Sequence, residues 1–188
     1  MYHYIAHLVT FFRMAAGLLL AYLITIHAVV PALLVLSVAV FTDFYDGYIA
    51  RRLNTESELG VFLDPLADKV LVLAGFIALW WQAVIAWWVV GVIIARDAAL
   101  TVIRSLLLAR GAPLHTLWLA KSKTVVQFGA LYLLIIASAV VHGALFDTGV
   151  AERITIYHYA HLLGAVVAVL TALSGLIYLP QILRKLRS

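Results

Sequence analysis

Six apolar runs, each parted from the next by a short polar link, organise this chain. They fall at roughly 8–29, 32–52, 60–81, 84–109, 118–141 and 158–180. Each is close to the ~20 residues that carry a helix across ~30 Å of hydrocarbon. Pro31 opens the second run, and Arg51-Arg52-Leu53-Asn54-Thr55-Glu56-Ser57-Glu58 joins the second to the third. Gly111-Ala112-Pro113 follows the fourth, and His142 to Tyr157 precedes the sixth. Such breakers and polar clusters mark helix boundaries. The pattern predicts an all-α polytopic membrane protein, with six transmembrane helices in one domain over 1–188.

Composition agrees with that prediction. Of the 188 residues, 65% are hydrophobic, and the mean hydropathy is +1.07, beyond ordinary soluble domains. Cysteine is absent, which excludes disulfide and thiolate chemistry. The start, Met1-Tyr2-His3-Tyr4-Ile5-Ala6-His7, has no basic leader and no small-residue cleavage site, so the first helix is expected to be retained. An even number of spans puts both termini on one side. Links 51–59 and 110–123 on that side carry Arg51, Arg52, Arg110, Lys121 and Lys123, and the tail adds Arg184, Lys185 and Arg187. The opposite links carry only Arg153. The positive-inside bias predicts a multi-pass protein of the cell (inner/cytoplasmic) membrane with both termini in the cytoplasm. It also explains a pI near 9.5 without nucleic acid as a partner. Trp80, Trp81, Trp87 and Trp88 bracket the third link and fit an aromatic belt on the outer face, with packing inside the bundle as the alternative for one or two of them.

The polar positions inside the apolar runs carry the chemistry. Only nine residues are acidic, and four of them, Asp43, Asp46, Asp64 and Asp68, fall in one window. Acids at such depth are costly and mark function. Asp43 and Asp46 share one helix face, as do Asp64 and Asp68. Together they make an oxygen-rich pocket suited to two Mg²⁺ or Mn²⁺ ions, open to the cytoplasm. Gly47 and Ala50 lie on the same face as the first pair, and Gly60 lies in line with the second. These small residues leave ligand space, although close helix packing would also use them. Salt bridges to Arg51, Arg52 and Lys69 would not neutralise four crowded acids, and Lys69 is expected to snorkel. Two divalent ions clamp a phosphoryl centre, and Arg51 adds a phosphate contact at the rim. The chemistry that follows is metal-assisted phosphoryl transfer on a lipid-borne diphosphate.

The pattern D-x2-D-G-x2-A-R-x8-G-x3-D-x3-D, from Asp43 to Asp68, resembles the signature of the CDP-alcohol phosphatidyltransferase family at every fixed position. The resemblance implies a six-helix membrane fold, a homodimer and two divalent metals. It also implies a CDP-linked lipid substrate with CMP as leaving group. By that resemblance Asp43, Asp46 and Asp64 hold one metal, and Asp43, Asp64 and Asp68 hold the other. Asp68 is also the base for the acceptor hydroxyl, and Gly47, Ala50 and Arg51 contact the CDP moiety, with Gly60 beside them.

The acceptor must be read by other residues. Arg96-Asp97 lies inside the fourth run, Arg104 is eight residues further on, and Lys121, Lys123 and Gln127 open the next run. This cationic set suits a phosphorylated alcohol. The alternatives are that Arg96 and Asp97 pair with neighbours and that the lysines are only inside-positive anchors. Ile94-Ala95-Arg96-Asp97, Ile103-Arg104, Lys121-Ser122-Lys123-Thr124 with Gln127, and Leu8-Val9-Thr10 with Arg13 resemble the phosphatidylglycerophosphate synthase branch of that family. That branch takes CDP-diacylglycerol and glycerol 3-phosphate. Ala6-His7 and Asp97 depart from its usual Pro-Asn and Glu. Cardiolipin synthases, which accept phosphatidylglycerol, also carry Arg-Asp but tend to lack counterparts of Arg104 and Lys123. A divalent-cation transporter is the rival of another class. It would place its acids near the midplane between repeated halves, and no second half mirrors them here. The near copies Tyr2-His3-Tyr4 with His7 and Tyr157-His158-Tyr159 with His161 are expected on opposite faces, as interfacial residues.

Overall fold

The computed structural model describes the backbone of residues 2–53, 58–109, 118–145, 149–178 and 180–182. It describes side chains for 11–42, 69–103, 105–107, 125–145, 149–178 and 180–182. The described residues form six helices and no strand: α1 (Tyr2–Thr25), α2 (Val29–Leu53), α3 (Glu58–Trp81), α4 (Trp87–Ala109), α5 (Trp118–Val141) and α6 (Val150–Leu176). The six predicted runs correspond one to one with these helices. The sixth helix starts earlier than its apolar run. Glu152 and Arg153 lower the hydropathy of residues 150–157, yet both are compatible with helix, and polarity alone does not end one. Pro31 sits in the first turn of α2, where a missing N–H costs nothing.

Three links share one stop signal. After α1, Ala28 N–H donates to Leu23 O at 2.9 Å and His27 N–H to Ile24 O at 3.1 Å. Val84 and Ala83 repeat this after α3, and Ala144 and Gly143 after α5. Each is a Schellman turn with its cap residue in the left-handed region, at φ 58° for His27 and Ala83 and 70° for Gly143. The three turns gather at one end of the bundle. Gln82 Nε2 donates to Ile24 O at 2.5 Å, and Ser138 Oγ donates to Gln82 Oε1 at 2.7 Å. The His27 and His142 rings lie 4.5 Å apart, and His161 Nε2 lies 3.2 Å from Ala83 O. The start of α1, the C-terminal ends of α2 and α4 and the N-terminal ends of α3 and α5 therefore lie at the other end.

α1 packs most extensively on α3, and their closest approach is at Gly17. A Cβ there would stand 3.1 Å from Leu71 Cα and 3.3 Å from Leu71 N, against backbone that cannot yield locally. Further along, a Cβ at Gly75 would stand 2.9 Å from the Leu131 side chain of α5. Around these contacts Leu20, Leu36, Phe76, Leu79, Ile93, Leu131 and Leu134 are fully buried. Polar ties join other pairs: Ser37 of α2 and Tyr132 of α5 share a hydrogen bond of 2.8 Å.

The outer surface is apolar. Phe11, Leu18, Leu34, Phe41, Val102, Val125, Leu133, Leu162 and Val169, spread over α1, α2, α4, α5 and α6, are all more than half exposed. By hydropathy Val150–Ile182 is long and apolar enough to cross a membrane, and shorter apolar stretches fill Phe11–Thr25, Val29–Thr42, Lys69–Trp81 and Val125–Val141. Trp80, Trp81, Trp87 and Trp88 are exposed around the α3–α4 turn, not packed within the bundle.

The Gly17 contact generates a direct test. Gly17→Ala should force α1 away from α3 and lower stability by about 1–3 kcal/mol, the usual cost of overpacking. Thermal unfolding of the purified protein in detergent checks it, and an unchanged midpoint would contradict the close approach.

Candidate active site

Buried stripes on two helices run straight into the four aspartates. On α2 the buried positions Val29, Ala32, Leu36 and Ala39 recur at three- and four-residue spacing. Asp43, Asp46 and Ala50 continue the same spacing, so their register positions share the inward face. On α3 Leu71 and Gly75 meet α1 and α5, and Gly60, Asp64 and Asp68 precede them in the same line. The helices place both aspartate pairs on core-facing stripes, at the end opposite the three Schellman turns. The side chains of Asp43, Asp46, Gly47, Ala50, Arg51, Gly60, Asp64, Asp68, Arg104, Lys121 and Lys123 lie outside the described residues. Among the described residues no cluster of His, Cys, Asp or Glu suits a metal.

Arg13 belongs to the Leu8-Val9-Thr10 motif of α1, to which the sequence assigns no site role. It is only 4% exposed, on the buried stripe that Ala16, Gly17 and Leu20 continue. Gly17 abuts Leu71, and α1 runs parallel to α3. Arg13, four residues before Gly17, is therefore level with Ala67 and Asp68, four and three residues before Leu71. A cation buried at that height would offset the repulsion of carboxylates brought together there. Its signal in the sequence was a lone arginine inside the first apolar run.

Lys69 corrects an expectation. It does not snorkel to a surface: it is half-buried, and its Nζ donates to Thr101 Oγ1 of α4. The hydroxyl has a free lone pair because its own proton goes to Asp97 O at 2.6 Å. This contact also sets the register of α4 against α3. Thr101 is level with Lys69, and Arg104 lies about 4.5 Å further toward the carboxylate end, at 1.5 Å per residue.

Arg96 is held within the bundle. Its Nη1 pairs with Asp97 Oδ1 at 2.9 Å, and its Nη2 donates to Ser174 Oγ of α6 at 3.0 Å. The alternative raised from the sequence, that Arg96 and Asp97 pair with neighbours, describes these contacts. Asp97 is buried, and so is Gln127, whose Nε2 donates to Thr171 Oγ1 of α6 at 3.3 Å. Lys123 precedes Gln127 by one turn, nearer the carboxylate end. A separate open groove of about 410 Å³ between α1 and α2, lined by Phe12, Ala15, Ala16, Leu19, Leu34, Val35 and Val38, has no polar lining residue. It takes no part in this polar set.

Residues 3–173 match the family described as CDP-alcohol phosphatidyltransferase. Among curated relatives, a probable phosphatidylglycerophosphate synthase of Mycobacterium tuberculosis is 36% identical over 107 residues, 57% of this chain and 51% of the relative. A CDP-diacylglycerol–glycerol-3-phosphate 3-phosphatidyltransferase of Bacillus subtilis is 42% identical over 99 residues, 53% of this chain and 51% of the relative. A CMP-forming cardiolipin synthase of Streptomyces coelicolor is 40% identical over 82 residues, 44% of this chain and 38% of the relative. The matches span about half the length of the first two relatives.

The place of Arg13 yields a prediction. Arg13→Met keeps most of the volume and removes the charge, so the carboxylate end should become unstable without divalent cations. The unfolding midpoint should fall in chelator and recover as Mg²⁺ is added, with Arg13→Lys in between. Thermal unfolding across a Mg²⁺ titration checks this. Equal midpoints for Arg13→Met and wild type in chelator would remove Arg13 from the charge balance.

Proposed function

The chain belongs to the CDP-alcohol phosphatidyltransferase family, and we propose that it transfers the phosphatidyl group of CDP-diacylglycerol to glycerol 3-phosphate, releasing CMP and forming phosphatidylglycerophosphate. One observation carries this reading: the core-facing stripes of α2 and α3 continue into four aspartates at one end of the bundle. The names of the relatives from Mycobacterium tuberculosis and Bacillus subtilis support the acceptor.

The bundle spans the inner membrane, both termini cytoplasmic. Its apolar outer faces support that placement. The exposed tryptophans then mark the outer surface, and the aspartates open to the cytoplasm and to lipid. The family resemblance supports a homodimer.

The donor set suits hard divalent cations, because four carboxylates on the stripes of α2 and α3 offer oxygen ligands and excess negative charge. Asp43, Asp46 and Asp64 would hold one Mg²⁺ or Mn²⁺, and Asp43, Asp64 and Asp68 the other. When bound, these ions neutralise the diphosphate and stabilise attacking and leaving oxygens. Arg51 holds the diphosphate at the rim, and Gly47, Ala50 and Gly60 leave room for the CDP moiety. Asp68 takes the proton of the acceptor hydroxyl as its oxygen bonds to the phosphatidyl phosphorus. The bond from that phosphorus to the CMP oxygen breaks, and CMP leaves. Arg104, Lys121 and Lys123 hold the phosphate of glycerol 3-phosphate. Arg96 belongs to the same cationic set, and its two Nη groups already have partners.

A second reading, cardiolipin synthesis with phosphatidylglycerol as acceptor, draws on the Streptomyces coelicolor relative and on Asp97. Membership of a transferase family argues against cation transport. An acceptor panel with radiolabelled CDP-diacylglycerol decides between the two lipid products.

Asp43→Asn, Asp46→Asn or Asp64→Asn should abolish CMP release, with poor rescue by extra Mg²⁺ or Mn²⁺. Asp68→Asn should lower kcat by roughly 10²–10⁴-fold, the usual contribution of a general base, while largely sparing the KM for CDP-diacylglycerol. Near-normal turnover in Asp43→Asn would remove the two-metal arrangement.

Acceptor choice gives a separate test. Arg104→Lys should raise the KM for glycerol 3-phosphate roughly ten- to a hundredfold, since a point charge replaces a bidentate fork. The KM for CDP-diacylglycerol should move far less. Steady-state kinetics with each substrate varied in turn checks this. An unchanged glycerol 3-phosphate KM in Arg104→Ala combined with Lys123→Ala would refute the pocket.

A further inference from the structure

We propose that Thr171 and Ser174, one turn apart on α6, are positioning residues for the acceptor pocket: they tie α5 and α4 to a single helix and so set the spacing of the cations those two helices carry. This rests on the reading that the acceptor is a phosphorylated alcohol held from α4 and α5.

α6 has no charged residue between Arg153 and Arg184, yet two of its hydroxyls meet the polar residues of its neighbours. Thr171 Oγ1 accepts from Gln127 of α5, and Thr171 is 1% exposed. Ser174 Oγ donates to Thr171 O at 2.7 Å, which fixes its proton and turns a lone pair to Arg96 Nη2. Gly175 completes the seat. A Cβ at that position would stand 3.1 Å from Arg96 Cγ, so glycine lets the arginine lie along α6. Arg96 Nε is buried without a hydrogen-bond partner among the described residues, so the guanidinium is oriented by its two Nη bonds.

The consequence follows from helix geometry. On α4 the residues after Arg96 are pinned again at Thr101, by Lys69 of α3. Arg104 comes one turn later. On α5, Lys123 comes one turn before Gln127. Both cations are thus short extensions of segments that α6 holds. A rotation of α4 or α5 would shift them relative to each other, because each side chain stands off its helix axis and is carried around with it. Anion affinity depends on that spacing, and among the described residues the tie is made by α4, α5 and α6.

The experiment uses the full-length purified protein with CDP-diacylglycerol in mixed micelles and glycerol 3-phosphate varied. Ser174→Ala, Thr171→Val and Gly175→Ala are each expected to raise the glycerol 3-phosphate KM by about three- to tenfold, with the KM for CDP-diacylglycerol changed by less than about twofold, as loss of one hydrogen bond implies. Thr171→Ser and Ser174→Thr keep a hydroxyl and should lie nearer wild type than Thr171→Val and Ser174→Ala. Inorganic phosphate, as competitive inhibitor, should weaken in parallel with the acceptor KM. An unchanged acceptor KM in the singles and in Thr171→Val combined with Ser174→Ala would overturn the proposal. So would a joint rise in both KM values with a fall in kcat, which is general loosening of the bundle. Wild-type protein that releases no CMP with glycerol 3-phosphate would overturn the acceptor reading first, and this inference with it.

Discussion

The approach of α1 to α3 at Gly17 sets the geometry on which the rest of the bundle depends. An added Cβ would stand 3.1 Å from Leu71 Cα, so a single methyl fits only if the backbone gives by a few tenths of an ångström. In the membrane setting of the proposed function helices gain little from burying leucine, and close packing of small residues then carries the association. One contact of this kind fixes two quantities together: the distance between the helices and their relative height. The height matters more for chemistry. It puts the buried Arg13 level with Asp68 and leaves the stripe of α3 to run from packing surface to carboxylate surface without a break.

That continuity produces a tension that function resolves. The faces that bury Ala32, Leu36, Ala39 and Leu71 would bury four acids a few turns later. Carboxylates crowded on an inward face repel, and desolvation raises the cost of charge. Arg13 supplies one compensating charge on the neighbouring helix. In the proposed function bound cations supply the rest, and a segment poorly suited to packing is then well suited to a diphosphate with its metals. The other end of the bundle carries no such strain. Three Schellman turns, Gln82 and Ser138 close it with neutral hydrogen bonds, so it serves as the fixed base.

Much of this was legible in the sequence, and the reasons differ by residue. The six helices were legible because apolar length is a strong signal and the links contain breakers. The aspartate faces were legible because three- and four-residue spacing defines a helix face whatever surrounds it. Three things were not. Residues 150–157 were read as a link because hydropathy was taken for helix propensity, and Glu152 and Arg153 lower the first without ending the second. Lys69 is expected to snorkel because it points away from the aspartate face of its own helix; Thr101 comes from another helix, and pairing between helices is invisible in a linear pattern. The hydroxyls of α6 are hidden in the sequence for the same reason. Thr171 and Ser174 are common residues in a membrane-like helix, and only their neighbours give them meaning.

The family's two kinds of acceptor explain why meaning should sit there. Relatives named for glycerol 3-phosphate and for cardiolipin resemble this chain to a similar degree. The aspartate signature does not by itself choose between those products. Choice has to come from residues that meet the acceptor or aim those that do, and in the proposed function such residues belong to α4, α5 and α6. A charged contact such as Arg104 gives affinity for phosphate but tolerates displacement badly, since a bidentate fork loses its second bond with a small shift. Precision in such a pocket therefore depends on the neutral ties behind the cations. A helix whose half nearest those cations has no charged residue is well placed to supply them, because it can hold two cationic neighbours apart without competing for the anion between them.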